Sequence, residues 1–142
     1  MIVLAYDHRG YELMQGIQQY LDSINEKYVV FASKTYKQTD SYSEFSNKAC
    51  EYMLSHNNCR GIFCCGTGIG ISMSANRHKG IRAGICSDIK TTHLARNDDD
   101  INVLVLAGNN IKIDKAKKLI DTFLNTPFEG GRHIARLKLL DE

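Results

Sequence analysis

The sequence lacks any apolar run approaching the roughly 18 residues of a membrane span, and it has no stripe of basic side chains of the kind that follows a phosphodiester backbone. Its formal net charge is +2, from interspersed Lys, Arg, Asp and Glu. Neither a membrane nor nucleic acid is therefore expected as a partner. No positively charged leader precedes the apolar Ile2-Val3-Leu4-Ala5-Tyr6, which predicts a cytoplasmic protein. One proline in 142 residues, with no repeat, low-complexity tract or linker, predicts one compact domain over residues 1–142. Paired C-x-x-C frames are absent too. The five cysteines, Cys50, Cys59, Cys64, Cys65 and Cys86, have no histidine partners at ligand spacing, so neither a zinc site nor a disulfide scaffold is signalled.

What is present is an alternation. Short apolar runs at Ile2-Tyr6, Tyr28-Ala32, Gly61-Cys65, Arg82-Cys86 and Asn102-Ala107 read as buried strands. Between them, Tyr11, Leu13, Ile17, Tyr20, Leu21 and Ile24 recur at helical spacing, and Ser43-Leu54, Ser72-Arg77, Ile89-Arg96 and Asp114-Leu124 read as later helices. Strands apolar on both faces, joined by helices, make a parallel sheet wound with right-handed crossovers. The predicted fold is α/β: a doubly wound, Rossmann-like three-layer sandwich on a five-stranded parallel sheet. Ligands in such folds sit beyond the carboxyl ends of the strands, where strand order reverses. That directs attention to Asp7-His8, Ser33-Lys34, Cys65-Gly70, Ser87-Asp88 and Gly108-Asn110. A last helix is expected from Ile134 to Leu140.

The run Phe63-Cys64-Cys65-Gly66-Thr67-Gly68-Ile69-Gly70 leads from a strand into a helix. Backbone N–H groups there converge, and the helix N-terminus adds partial positive charge, which makes an anion cage. The glycines at 66, 68 and 70 satisfy neither G-x-G-x-x-G nor the Walker pattern. Cys65 ends the strand beside the cage, where the field is expected to favour its thiolate over a neutral thiol; Cys64 must face the other side of the sheet as a core residue. A strand-end cysteine is ordinarily core as well. Its neighbours argue otherwise. Asp7 and His8 end the first strand on the same edge, and Arg132 and Arg136, four apart on a helical turn, can grip a phosphate as a double fork. The combination points to a small phosphorylated substrate.

The segments CGTGIGISMSANRHKGIRAGICSD (65–88), DHRG (7–10), NVLVLAG (102–108) and EGGRHIAR (129–136), in this order along nearly the whole chain, resemble the ribose-5-phosphate isomerase B and galactose-6-phosphate isomerase family. The resemblance implies aldose–ketose isomerisation of a sugar phosphate, ribose 5-phosphate to ribulose 5-phosphate first of all, without metal or cofactor and through a cis-enediolate. It makes Cys65 the base that carries a proton between carbons 2 and 1, with Thr67 and the backbone of Gly66, Gly68 and Gly70 holding the enediolate. His8, Arg132 and Arg136 match phosphate ligands, and Asp7 and Tyr42 match residues lining the sugar. Homodimers or dimers of dimers are implied, with each site built from two chains and residues 127–142 packing on the neighbour.

The chain departs from the family in three places. Asp98 stands where a ring-opening histidine is usual and Asp99 where an asparagine is; Gly108-Asn109-Asn110 replaces Gly-Ser-Arg, with Lys112 the nearest substitute for that arginine; Met14 replaces a lysine. Asp98 follows a helix that runs back from the carboxyl edge, so it should meet a cysteine only across a subunit contact. Asp98 acts as the ring-opening base, or the substrate is a four-carbon aldose phosphate that needs no ring opening, or a related subunit supplies the histidine. Six-carbon substrates stay open as well. A non-catalytic sugar-phosphate-binding module is the alternative outside enzymes. A phosphoryl-transfer domain with Cys65 as nucleophile is disfavoured, since Gly-Thr-Gly replaces the arginine-rich loop it would need.

Overall fold

The computed structural model describes Met1–Glu142. Five strands alternate with helices: β1 (Ile2–Tyr6), α1 (Tyr11–Ser23), β2 (Tyr28–Phe31), α2 (Tyr42–Ser55), β3 (Arg60–Cys65), α3 (Ile69–Asn76), β4 (Ala83–Ile85), α4 (Ile89–Asp99), β5 (Val103–Ala107), α5 (Ile113–Asn125) and α6 (His133–Lys138), then a 3₁₀ turn at Leu139–Asp141. All four strand pairings are parallel, in the order β2-β1-β3-β5-β4. This is the expected doubly wound sheet.

The apolar strands divide their side chains between two layers because successive residues face opposite sides. Leu4, Tyr6, Ile62, Cys64, Leu104 and Leu106 pack with Leu13, Met14, Ile17 and Leu21 of α1 and Leu119, Ile120 and Phe123 of α5. Val3, Ala5, Phe63, Cys65, Val103 and Val105 pack on the other side with Phe45, Ala49, Cys50 and Met53 of α2 and Ile71 and Ala75 of α3. Phe63 is fully buried. Truncating it to alanine would cost about 3–5 kcal/mol.

The helix after β1 covers one face and the helix after β3 the other, so the connections leaving these two paired strands part to opposite sides and open a crevice at their carboxyl ends. The β1–α1 turn is pressed into that crevice. A Cβ on Gly10 would lie 2.7 Å from the Cys64 carbonyl oxygen, and one on Gly108 2.5 Å from the Arg9 carbonyl oxygen. Both glycines let the loops meet.

Several boundaries differ from the expectation. α3 begins at Ile69, not Ser72. Gly68, at φ +78°, turns the chain into the helix, and Thr67 Oγ1 accepts from Ile69 N at 3.2 Å. β4 is shorter than Arg82-Cys86: Arg82 N donates to the Asn102 side chain at 2.8 Å, which replaces a ladder bond with a side-chain one. The last helix starts one residue early and tightens to 3₁₀ after Lys138. No helix is long and apolar enough to cross a membrane.

Candidate active site

Register brings the carboxyl-edge residues together. Tyr6 pairs with Cys64 and Cys65 with Ala107, so the next residue of each strand places Asp7 beside Cys65 and Gly108 beside Gly66. Gly108 N donates to Cys65 O at 2.8 Å and Asn109 N to Gly66 O at 3.0 Å, which welds the β5 loop to the β3 loop. Cys65 is 5% exposed, at the end of the strand. Cys64 faces the α1/α5 layer, where burial, with smaller contributions from Cys65 and Asp7, pushes its thiol well up and keeps it neutral. The two adjacent cysteines therefore have different environments.

The turn leaves most of its N–H groups without a partner. None of the N–H groups of Gly66, Thr67, Gly68, Gly70 and Ile71 donates within the turn; only that of Ile69 is taken, by Thr67 Oγ1. Five donors at a helix start lack acceptors beside Cys65. Tyr42, at the start of α2, closes the cage from the side: a Cβ on Gly70 would lie 2.6 Å from Tyr42 Cζ. Thr67 is exposed.

Asp7 is 5% exposed, and its Oδ1 accepts from Arg9 N at 3.0 Å and Gly10 N at 3.3 Å. Its carboxylate thus holds the turn that presents His8. His8 is fixed from a distant loop: Asp40 Oδ1 accepts from His8 N at 2.9 Å and lies 2.9 Å from His8 Nδ1. Asp40 escaped the sequence reading because 32 residues and no periodicity separate it from His8. Asp7, His8 and Asp40 have ligand atoms within 4.8 Å of one another, the spacing of a metal site. Asp7 Oδ1 is bonded to the turn, and Asp40 Oδ1 to His8 Nδ1.

Asp98, Asp99, Arg132 and Arg136 do not join this group within one chain. α4 runs back from the carboxyl edge, and Asp98 and Asp99 end it at the opposite edge, separated from Cys65 by the strand length, about 13 Å for five residues. The C-terminal segment joins them there through Glu129 N, which donates to Asn97 O at 3.0 Å. Arg132 and Arg136 are exposed, and Arg132 Nη1 lies 3.4 Å from Glu129 Oε1. Behind them His133, 5% exposed, puts Nε2 3.2 Å from Glu129 Oε2 and 3.6 Å from Asp98 Oδ1. That contact, then Arg132 and Asn97, holds the Glu129 carboxyl below its ordinary range. These three ligand atoms also fall within 4.8 Å. Asp100 is structural: it bonds Arg82 at 3.1 Å and Arg96 at 2.8 Å, with φ +46° at the end of α4. His133 lay in the quoted EGGRHIAR run, but only the fold aims it at Asp98.

Known proteins resemble this chain over nearly its whole length. The profile of the Ribose/Galactose Isomerase family matches residues 2–140. The chain belongs to this family. It is 36% identical over 136 residues to the probable ribose-5-phosphate isomerase B of Mycoplasma pneumoniae, covering 96% of this chain and 90% of that one. Among solved structures, the ribose 5-phosphate isomerase of Thermotoga maritima superposes with a TM-score of 0.94 at 37% identity, over 99% of this chain and 96% of that one. Ribose-5-phosphate isomerase B of Mycoplasma genitalium, solved with bound ribulose-5-phosphate, gives 0.92 at 33% identity, over 98% and 92%. This chain is accordingly an isomerase, of the ribose-5-phosphate isomerase B type.

Proposed function

We propose that this isomerase interconverts ribose 5-phosphate and ribulose 5-phosphate through a cis-enediolate, with Cys65 as the proton-transfer base and no metal or cofactor. One observation carries the reading: a buried cysteine stands at a strand end beside five N–H groups that have no acceptor. The ligand bound to the Mycoplasma genitalium relative supplies the substrate class.

In the open-chain aldose, the Cys65 thiolate takes the proton from carbon 2. The electron pair moves into a carbon 1–carbon 2 double bond, and the former carbonyl oxygen gains negative charge. The N–H groups of Gly66, Gly68 and Gly70 and the Thr67 hydroxyl donate to that oxygen, where preorganised donors are worth several kcal/mol. The sulfur then returns its proton to carbon 1, and the carbon 2 hydroxyl proton passes to the oxygen on carbon 1. Atoms and electrons balance within the sugar, so no redox partner is needed. Asp7 and Tyr42 flank the sugar; His8 meets the phosphate.

Arg132, Arg136, Asp98 and Asp99 reach this site from a second copy, in a homodimer or dimer of dimers whose contact includes residues 127–142. The outer faces available for it are apolar: Ile69 and Met73 next to the cage are 56% and 58% exposed, and Leu139 and Leu140 are each 66% exposed. Asp98 acts on the ring oxygen during opening. A cytoplasmic place in pentose phosphate interconversion suits the substrate.

Cys65→Ser tests the base. Ribose 5-phosphate turnover and solvent deuterium exchange at carbon 2 are expected to fall by at least 100-fold, with binding of the sugar phosphate retained. Unchanged exchange would remove Cys65 from the chemistry.

A further inference from the structure

At the carboxyl edge stands a cation without a partner. Arg9, between His8 and Gly10, is exposed and takes part in none of the ion pairs of the fold. Its side chain crosses directly over the first residue of the cage. A Cβ on Gly66 would lie 2.7 Å from Arg9 Cδ and 3.3 Å from Arg9 Nη1, and 3.1 Å from Asn109 Nδ2. A side chain at position 66 would displace the arginine stem from that space.

Two donor groups, a guanidinium and a side-chain amide, therefore converge over Gly66. Neither has an acceptor in the protein. They also line a cavity of about 590 Å³ between α1 and the start of α5, together with Asn110 and Lys112. Lys112 forms no ion pair either. Glu12, the one carboxylate on the cavity wall, pairs with neither cation. Donors gathered this way beside an anion cage, with nothing to receive them, fit the planar fork with which arginine holds a phosphate.

We propose that Arg9, with Asn109 and Lys112, anchors the substrate phosphate from the same chain that supplies Cys65. The proposal rests on the reading of the ligand as a sugar phosphate. On the chain that supplies Cys65 it adds a guanidinium fork to His8, opposite the Arg132 and Arg136 of the second copy. The β1–α1 turn then carries two adjacent phosphate ligands, His8 and Arg9, with Asp7 fixing the turn by its bonds to Arg9 N and Gly10 N.

Inorganic phosphate titrated calorimetrically into the assembled protein tests this without any need for turnover. Arg9→Gln is expected to weaken phosphate binding about tenfold or more, and to raise KM for ribose 5-phosphate with a smaller change in kcat. Asn109→Ala should give a smaller loss in the same direction. Arg9→Lys, which keeps the charge without the fork, should recover part of the affinity. Melting without phosphate should stay within about 2 °C of the parent, since the side chain is exposed. Unchanged phosphate affinity in Arg9→Gln overturns the proposal, as does a parent protein that binds no phosphate. A parent that binds phosphate through Arg9 but fails to isomerise ribose 5-phosphate supports the anchor and sinks only the substrate reading.

Discussion

Asp40 Oδ1 receives both the backbone N–H and the ring of His8, each at 2.9 Å, so a single carboxylate oxygen fixes the position and the plane of that imidazole. Asp40 has a side chain only 7% exposed, while that of His8 is 20% exposed. The histidine is thereby held from behind and left accessible in front.

If His8 contacts the phosphate, Asp40→Ala should act mainly on binding. KM for the sugar phosphate is expected to rise about tenfold, with kcat changed less, because the loss falls on ground state and transition state alike. Steady-state kinetics separate the two. An equal fall in kcat at constant KM would place His8 in the chemical step instead.

Two glycine-to-alanine changes should separate site from scaffold. At Gly70 the new methyl meets the tip of Tyr42, an exposed side chain that can swing away. Gly70→Ala is therefore expected to lower kcat/KM while leaving stability within about 1 kcal/mol. At Gly108 the methyl meets the Arg9 carbonyl at 2.5 Å and Cys64 Sγ at 3.2 Å, and backbone has to move. Gly108→Ala should cost about 1–3 kcal/mol of stability. Denaturant melts and kinetics on both variants decide the matter; equal stability losses would contradict it.

The strand–helix alternation was legible because fully apolar strands and amphipathic helices differ in period. The cage was legible because Gly66, Gly68 and Gly70 sit at a strand-to-helix junction. Strand order was not: β5 inserts between β3 and β4, and nothing local to Val103–Ala107 says so. Nor was the Asp40 contact, which depends on how the loop after β2 folds back. Arg9 stood in plain view within DHRG, yet only the approach of its stem to Gly66 gives it a direction. Asp98, by contrast, was assigned to the far edge from topology alone, and α4 puts it there.

Burial of three thiols predicts a loss of stability at alkaline pH. Cys50 is pushed up to about 11 from an ordinary 9.0, chiefly by burial, and burial raises Cys86 and Cys64 in the same way. A raised acid pKa in the folded state means that the unfolded chain gives up its proton first. The contribution is thus fully present below about pH 9 and is lost as pH rises toward the folded value. For Cys50 the loss should reach on the order of 2 kcal/mol by pH 11. Denaturant midpoints of the parent and Cys50→Ala between pH 7.5 and 10.5 test this. The variant should fall less steeply with pH, and parallel slopes would refute the assignment.

The last prediction concerns the edge at which Asp98, Arg132 and Arg136 lie. Since these residues and Cys65 occupy opposite ends of the same sheet, a site that uses both must take them from different chains. Cys65→Ser and Arg136→Ala should each be inactive alone. Co-refolded in equal amounts, half of the resulting dimers pair one chain of each kind. In such a dimer one site carries both lesions and the other carries neither. Activity should therefore return to about a quarter of the parent value per chain. Mixing without unfolding should give less, by the extent to which subunits fail to exchange. If co-refolding restores nothing while sedimentation shows that mixed dimers have formed, Cys65 and Arg136 belong to separate functions, and the shared site must be abandoned.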